Sequence, residues 1–317
     1  MNILFAGSPD FAVPSFERVA EAFRVVGVLT APDAAKGRKK TLTPTPVAAS
    51  AASRGIKVFK PDNLRRAARE EISGVNADIL VCVAYGRIFG PKFLGLFGHG
   101  GVNLHPSLLP RHRGPAPIPA TILEGDRYAG ITIQKLALEM DAGDILVQEA
   151  KSLSGTETTA DLTNWAAERG AELLVDALSR IEEGSAGFAP QNHREATYCR
   201  LIESEDARID WNESADRIQR KVRAYNPWPK AFGYLGETRI AILDAALHNR
   251  ANTEKSAEVG AVLGIDSGNG ILVQTGVGIL GVRTLKPQTR QAMSWRDFMN
   301  GAGTLQGRRF SSVPSEL

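Results

Sequence analysis

Apolar positions in the first half of the chain follow two periods. Short apolar runs at Asn2–Ala6, Val25–Thr30, Lys57–Phe59, Ile79–Ala84, Val102–His105 and Ile131–Leu138 predict strands. Between them, Phe16–Phe23, Pro46–Arg54 and Asn63–Ile72 predict helices, and a longer helix over 158–183 closes the region. Strands alternating with helices predict an α/β domain, a mostly parallel sheet with helices on both faces. Ligands of such sheets bind outside the carboxyl ends of the strands.

The period changes in the second half. Gly184–Arg200 loses it and is rich in Gly, Pro, Asn and His, as a linker would be. Ser214–Ala224 predicts a helix. Short strands follow at Ala231–Leu235, Thr238–Asp244, Gly260–Ile265, Ile271–Thr275 and Ile279–Leu285, separated by glycine-rich turns. They suggest a small antiparallel barrel of the OB-like kind. The division expected is a first domain over 1–189, a linker over 190–205 and a second domain over 206–317.

Composition narrows the setting. The 317 residues suffice for two cores, and 43% hydrophobic with 23% charged residues is ordinary for a soluble globular protein. No apolar run is long enough for a membrane span. The opening segment is a strand without a basic lead, so no secretory signal is expected. The two cysteines, Cys82 and Cys199, fit neither a metal spacing nor a disulfide framework, and a reducing cytoplasm is the expected home. The net charge of +3 does not by itself imply a nucleic-acid partner.

The chemistry concentrates in Asn103-Leu104-His105-Pro106-Ser107-Leu108-Leu109-Pro110, where the predicted strand ends. Side chains at i and i+2 share a face of a strand, so Asn103 and His105 point the same way. An amide can donate to a developing oxyanion, and a histidine near its ordinary pKa moves protons close to neutrality. Downstream, Met140-Asp141-Ala142-Gly143-Asp144 sets a carboxylate in a permissive glycine turn. By residue type alone Asp141 and Asp144 are equivalent. Such a set suits acyl transfer to an amine. A lone Asn-x-His would more simply cap a loop; the Pro-bracketed Ser-Leu-Leu and the acidic turn favour chemistry.

Two basic clusters stand out. Lys36-Gly37-Arg38-Lys39-Lys40 follows the second strand and offers a phosphate-binding loop, flanked by Pro32, Pro44 and Pro46. Arg217, Arg220 and Lys221 share a face of the predicted 214–224 helix. Either could equally be a solvated face. Gly7-Ser8-Pro9-Asp10 is not a dinucleotide fingerprint, because proline removes a phosphate-facing N–H.

Phe5-Ala6-Gly7-Ser8-Pro9-Asp10-Phe11-Ala12, Val83-Ala84-Tyr85-Gly86, the Asn103–Pro110 segment and Met140–Asp144 together resemble the folate-dependent formyltransferases. Gly37-Arg38 with Leu42-Thr43-Pro44, Ala207–Trp211 and Asn226-Pro227-Trp228-Pro229 extend the resemblance over the whole chain, toward the branch acting on methionyl-tRNA. It implies a Rossmann-like first domain and an OB-like second one. It implies transfer of a formyl group from 10-formyltetrahydrofolate to the α-amino group of methionyl initiator tRNA, by direct amine attack through a tetrahedral intermediate. Asn103, His105 and Asp141 would then be catalytic, with Asn103 and a His105 ring N–H as oxyanion donors. Ser107, Leu108, Leu109, Pro110, Tyr85 and Gly86 would line the folate site. Lys36, Arg38, Lys39, Lys40, Arg217, Arg220 and Lys221 would meet the tRNA, the loop at its acceptor stem. No metal, no membrane partner and a monomer are expected. Other acceptors, a nucleotide sugar or glycinamide ribonucleotide, and a silent tRNA-binding protein are the rival readings. The chain departs from the family at Lys39, where a glycine is usual, and at Pro115 and Pro119.

Overall fold

The structure, a computed structural model, describes residues 1–36, 41–248, 257–302, 305 and 307–314. They form two compact units. The first comprises 1–117, 128–152 and 162–200, and the second 118–127, 153–161 and 201–317.

In the first unit, β1 (Asn2–Gly7), β2 (Arg24–Leu29), a short hairpin of β3 (Ala34–Lys36) and β4 (Thr41–Thr43), β5 (Val58–Phe59), β6 (Ile79–Val83), β7 (Gly101–His105), β8 (Tyr128–Lys135) and β9 (Ile145–Ser152) follow in chain order. The main sheet runs β5-β2-β1-β6-β7-β8-β9. Its first five strands are parallel, and β8 and β9 add antiparallel. The predicted strands and the α/β class are all present. β9 is an addition; after Ile145-Leu146-Val147 it carries Gln148, Glu149, Lys151 and Ser152, and this mostly polar second half hides it from a search for buried runs.

The connections dictate where the helices go. Strand order first moves outward from β1 to β5, then reverses to β6 and β7. Right-handed crossovers send α1 (Val13–Ala22) and α2 (Pro46–Ser53) to one face, and α3 (Arg66–Ser73) to the other. Packing agrees. Phe5 meets Phe16 of α1 edge-on at 5.5 Å, while its neighbours Leu4 and Ala6 share a core with Ile72 of α3 and Phe93 of α4 (Pro91–Leu94). The long α6 (Thr159–Glu182) brings Gly170 so close to Leu104 that an added Cβ would lie 2.6 Å from it. Between them, α5 (Pro117–Leu123) begins at a proline, and Pro119 is tolerated within its first turn. Among the described residues no helix is long and apolar enough to cross a membrane.

The second unit is antiparallel. Its strands are β10 (Phe232–Leu235), β11 (Thr238–His248), β12 (Val262–Asp266), β13 (Gly270–Gln274), β14 (Ile279–Pro287), β15 (Met293–Ser294) and β16 (Phe310–Ser311), ordered β12-β13-β14-β11-β10-β16 with β15 on β14. A bridge between Ala261 and Arg309 joins the two ends, with Phe310 N donating to Gly260 O at 2.8 Å and Val262 N to Arg308 O at 3.0 Å. The sheet is thus closed, as the OB-like expectation requires. α7 (Ala215–Ala224), capped by Ser214 Oγ on Arg217 N, seats Ile218 and Val222 in the barrel core. α8 (Trp295–Ala302) contributes Phe298 to the same core.

Phe310 is buried against Trp211, with ring centroids 5.3 Å apart. Phe310→Ala is expected to cost about 3–5 kcal/mol. Indole fluorescence during urea unfolding should report it as a lower midpoint for the second unit.

Candidate active site

The site grows from strand registry in the first unit. Antiparallel pairing of β7 with β8 sets Asn103 opposite Gln134 and His105 opposite Thr132. Facing residues share a side of the sheet, so two polar rows replace the apolar pattern there. The first row begins at Cys82, which pairs with Asn103 from β6. The second continues to Gln148, which pairs with Thr132 from β9. The rows lie at the carboxyl ends of the parallel strands, as the fold rule requires.

The turn between β8 and β9 returns Asp141 over the first row. Asn103 Nδ2 lies 3.5 Å from Asp141 Oδ1, and Gln134 Nε2 donates to the same oxygen at 2.9 Å. Oδ2 accepts from Gly114 N at 2.8 Å and stands 3.5 Å from His105 Nδ1. Asp141 has φ +52°, in the left-handed region that disfavours side chains. The turn needs Gly143, since a Cβ there would sit 1.9 Å from Lys135 O. Asn103, His105 and Asp141 are therefore brought together as expected, and no hydrogen bond places Asp144's side chain with them.

His105 is buried, and its Nε2 lies 2.9 Å from His112 O. A carbonyl only accepts, so Nε2 carries the proton and Nδ1 of the neutral ring is left as an acceptor toward Asp141. The ring N–H expected to serve an oxyanion is thus committed to His112. Burial lowers the His105 pKa below its ordinary 6.5, opposed by the Asp141 carboxylate and the His112 carbonyl. Burial also pushes the Cys82 thiol up to about 12, which makes it a poor nucleophile.

The second polar row anchors the Ser107–Pro110 loop. Thr132 Oγ1 donates to Ser107 O at 2.7 Å and accepts from Leu109 N at 3.3 Å. Gln148 Nε2 donates to Leu109 O at 2.7 Å. Leu108 covers Gly130, where a Cβ would come within 2.2 Å of it. Ser107 Oγ is turned to Arg111 O, and Leu109 is buried. Tyr85 is buried too, stacked on Phe89 at 5.4 Å, and the following Gly86 has φ +82°.

Of the basic residues, Arg38, Lys39 and Lys40 lie outside the described residues, and Lys36 is described by its backbone in β3. In the second unit, Arg217 and Lys221 both pair with Glu213 at 2.9 Å, and Arg220 pairs with Asp216 at 2.8 Å while donating to Leu123 O. Arg217 is exposed, whereas Arg220 and Lys221 are mostly covered.

Sequence periodicity missed the support behind Asp141. Arg113, Gln191, Thr197 and Tyr198 interlock there, and three of them come from the stretch expected to be a linker. Hydrophobic patterning assigns such residues to the surface. For Arg113 and Gln191 a pairing partner, invisible in one dimension, buries them, while Thr197 and Tyr198 stay exposed.

An α/β unit with an amide, an imidazole and a carboxylate at its strand ends, followed by a closed barrel, defines a two-domain group-transfer protein. The chain belongs to the formyl transferase family: residues 1–178 match the formyl transferase model and 201–303 its C-terminal domain. It is 42% identical over 312 residues to the methionyl-tRNA formyltransferase of Treponema denticola, covering 95% of this chain and 97% of that one. It is 44% identical over 313 residues to the enzyme of the same name from Treponema pallidum, covering 96% and 98%. Among solved structures it resembles an N-formyltransferase from Helicobacter canadensis (TM-score 0.65, 19% identity, 88% of this chain and 98% of that chain). It also resembles the methionyl-tRNA formyltransferase of Clostridium thermocellum (TM-score 0.53, 17% identity, 78% and 94%).

The lowered His105 pKa has a sign that can be measured. The folded ring holds fewer protons than the unfolded chain wherever pH lies between the lowered value and about 6.5. Stability is therefore expected to fall as pH drops through that window. Urea midpoints taken across about pH 5–8 should show this slope, and His105→Gln should flatten it.

Proposed function

We propose that this protein transfers a formyl group from 10-formyltetrahydrofolate to the α-amino group of methionyl initiator tRNA. The observation that carries the reading is the convergence of Asn103 and His105 on Asp141, in a chain 42% identical over nearly its full length to a protein named for that reaction. The reaction belongs in the cytoplasm, where charged tRNA is used. Residues 1–189 would hold the chemistry and 206–317 would assist the tRNA, joined through 190–205.

The donor supplies an acyl carbon ready for attack by an amine. A free α-amino group has a pKa of roughly 8, so a reactive neutral fraction exists near pH 7. The Asn103 amide is the donor for the charge that develops on the formyl oxygen. It is half-buried, and its contact to Asp141 is long at 3.5 Å, which leaves donating capacity free. His105 acts on the other side of the proton balance. Its Nδ1 faces Asp141 Oδ2 with no N–H between them in the neutral tautomer, so the pair is arranged to take up one proton from the amine. That proton passes on to the folate N10 as the bond from N10 to the formyl carbon breaks, so that tetrahydrofolate leaves and the amide stays on the acceptor. Leu108, Leu109 and the anchored loop offer an apolar wall and fixed backbone groups for a flat heterocycle.

The deciding experiment is formyl transfer to methionyl initiator tRNA, with uncharged tRNA and nucleotide-sugar amines as competing acceptors. Product only on methionyl-tRNA is expected; product on a sugar amine would overturn the acceptor. Asn103→Ala is expected to lower kcat by about 10²–10³-fold with little change in the KM for folate. Reversing charge at Lys36, Arg38, Lys39 and Lys40 should flatten the salt dependence of the tRNA KM by about 0.7–0.9 log units per lost phosphate contact. An unchanged slope would make that loop a solvated surface.

A further inference from the structure

Gln191 is 5% exposed and belongs to neither a helix nor a strand. Its Oε1 accepts from Arg113 Nε at 3.1 Å and Nη2 at 2.7 Å. A guanidinium has donors only, so the amide can face just one way. Its Nε2 therefore turns toward Asp141 O at 2.8 Å, Gly143 O at 2.7 Å and Gln134 Oε1 at 3.2 Å. With that oxygen accepting, Gln134 presents Nε2 to the Asp141 carboxylate at 2.9 Å.

The hydrogen bonds thus run with one polarity, from guanidinium to Gln191, then to Gln134, then to Asp141 Oδ1. Arg113, 1% exposed, is held in turn by Tyr198 Oη at 3.0 Å, His193 Nδ1 at 3.1 Å and Glu139 at 3.6 Å. Asp141 is gripped at both its carbonyl and its carboxylate while its backbone sits in the left-handed region. A side chain there is strained and persists only where its surroundings impose it.

We infer that Arg113, Gln191 and Gln134 are positioning residues, which hold the Asp141 carboxylate between Asn103 and His105, with Gln191 as the link that gives the relay its direction. The kinetic part of the test rests on the proposed reaction, and the spectroscopic part does not. A purely structural role would lower stability and activity together without reference to Asp141.

Gln191→Met keeps the length and removes every polar contact. It is expected to lower kcat by about 10²-fold while both KM values stay within about twofold, because misplacement of a reacting group by about 1 Å is worth that much. In an Asp141→Asn background the same change should cost less than about threefold further, since residues acting through one another are not additive. Equal losses in both backgrounds would overturn the inference. Independently, the His105 Cε1–H resonance can be titrated by NMR, assigned by its absence in His105→Gln. His105 faces the Asp141 carboxylate, the His112 carbonyl and the His112 ring, and of these the carboxylate is the charge that raises its pKa. Releasing the carboxylate is expected to move the midpoint further down in Gln191→Met. An unchanged midpoint would overturn the inference whatever reaction the protein performs. Should wild-type protein formylate no acceptor, the functional reading fails and the titration still decides the positioning role. If Gln191→Met does not fold, Gln134→Met, which leaves the Arg113–Gln191 pair intact, takes the same measurements with the same expected directions.

Discussion

The pairing of β7 with β8 is the constraint on which the rest depends. A strand has period two, so a slip of one residue would exchange Asn103 and His105 for Val102 and Leu104 on the site face. Apolar contact prevents the slip from both sides. Leu104 fills the space over Gly170 of α6, and Leu108 closes over Gly130 of β8. Two glycines without side chains thereby decide which polar groups meet, because a methyl at either would force the packed leucine away.

Given that registry, the turn after β8 has little freedom. Gly143 approaches Lys135 O, and Lys135 N in turn donates to Asp144 O at 2.8 Å. The carboxylate then falls within reach of the Gly114 N–H, itself at φ +116° beside Cys199 O. His112, at φ +56°, directs its carbonyl to His105 Nε2 while its N–H is taken by Thr197 Oγ1 at 2.9 Å. One carbonyl so chooses the tautomer of the central imidazole. Burying this much polarity is tolerable only because nearly every donor finds an acceptor; an unpaired buried group would cost about 1–3 kcal/mol.

Much of this was legible in the sequence, for definite reasons. β1 and β6 are buried on both faces, so they read as near-continuous apolar runs such as Ile79–Val83. The Asn103–His105 spacing followed from strand geometry alone. Selecting Asp141 over Asp144 needed family resemblance, because only the folded turn distinguishes them. β9 escaped notice because its second half is mostly polar, and β16 because two residues carry no period. Gln191 and Arg113 were hidden for a deeper reason. Their burial is a property of the pair, and no scale that scores residues singly contains it.

The closed barrel has a consequence for how the chain reaches its final form. The strand that completes it, β16, is last in chain order, yet it pairs with β10, the first strand of that sheet, while Arg309 meets Ala261. Until those residues arrive, the barrel has two open edges, each a row of unpaired backbone groups able to recruit another chain. The main sheet has all its strands by Ser152 and needs no such late arrival. Long-range closure is slow because loop entropy must be overcome before any contact rewards it. The second unit is therefore the part of this protein most exposed to misassembly during synthesis, and a shortened carboxyl end would leave that exposure permanent.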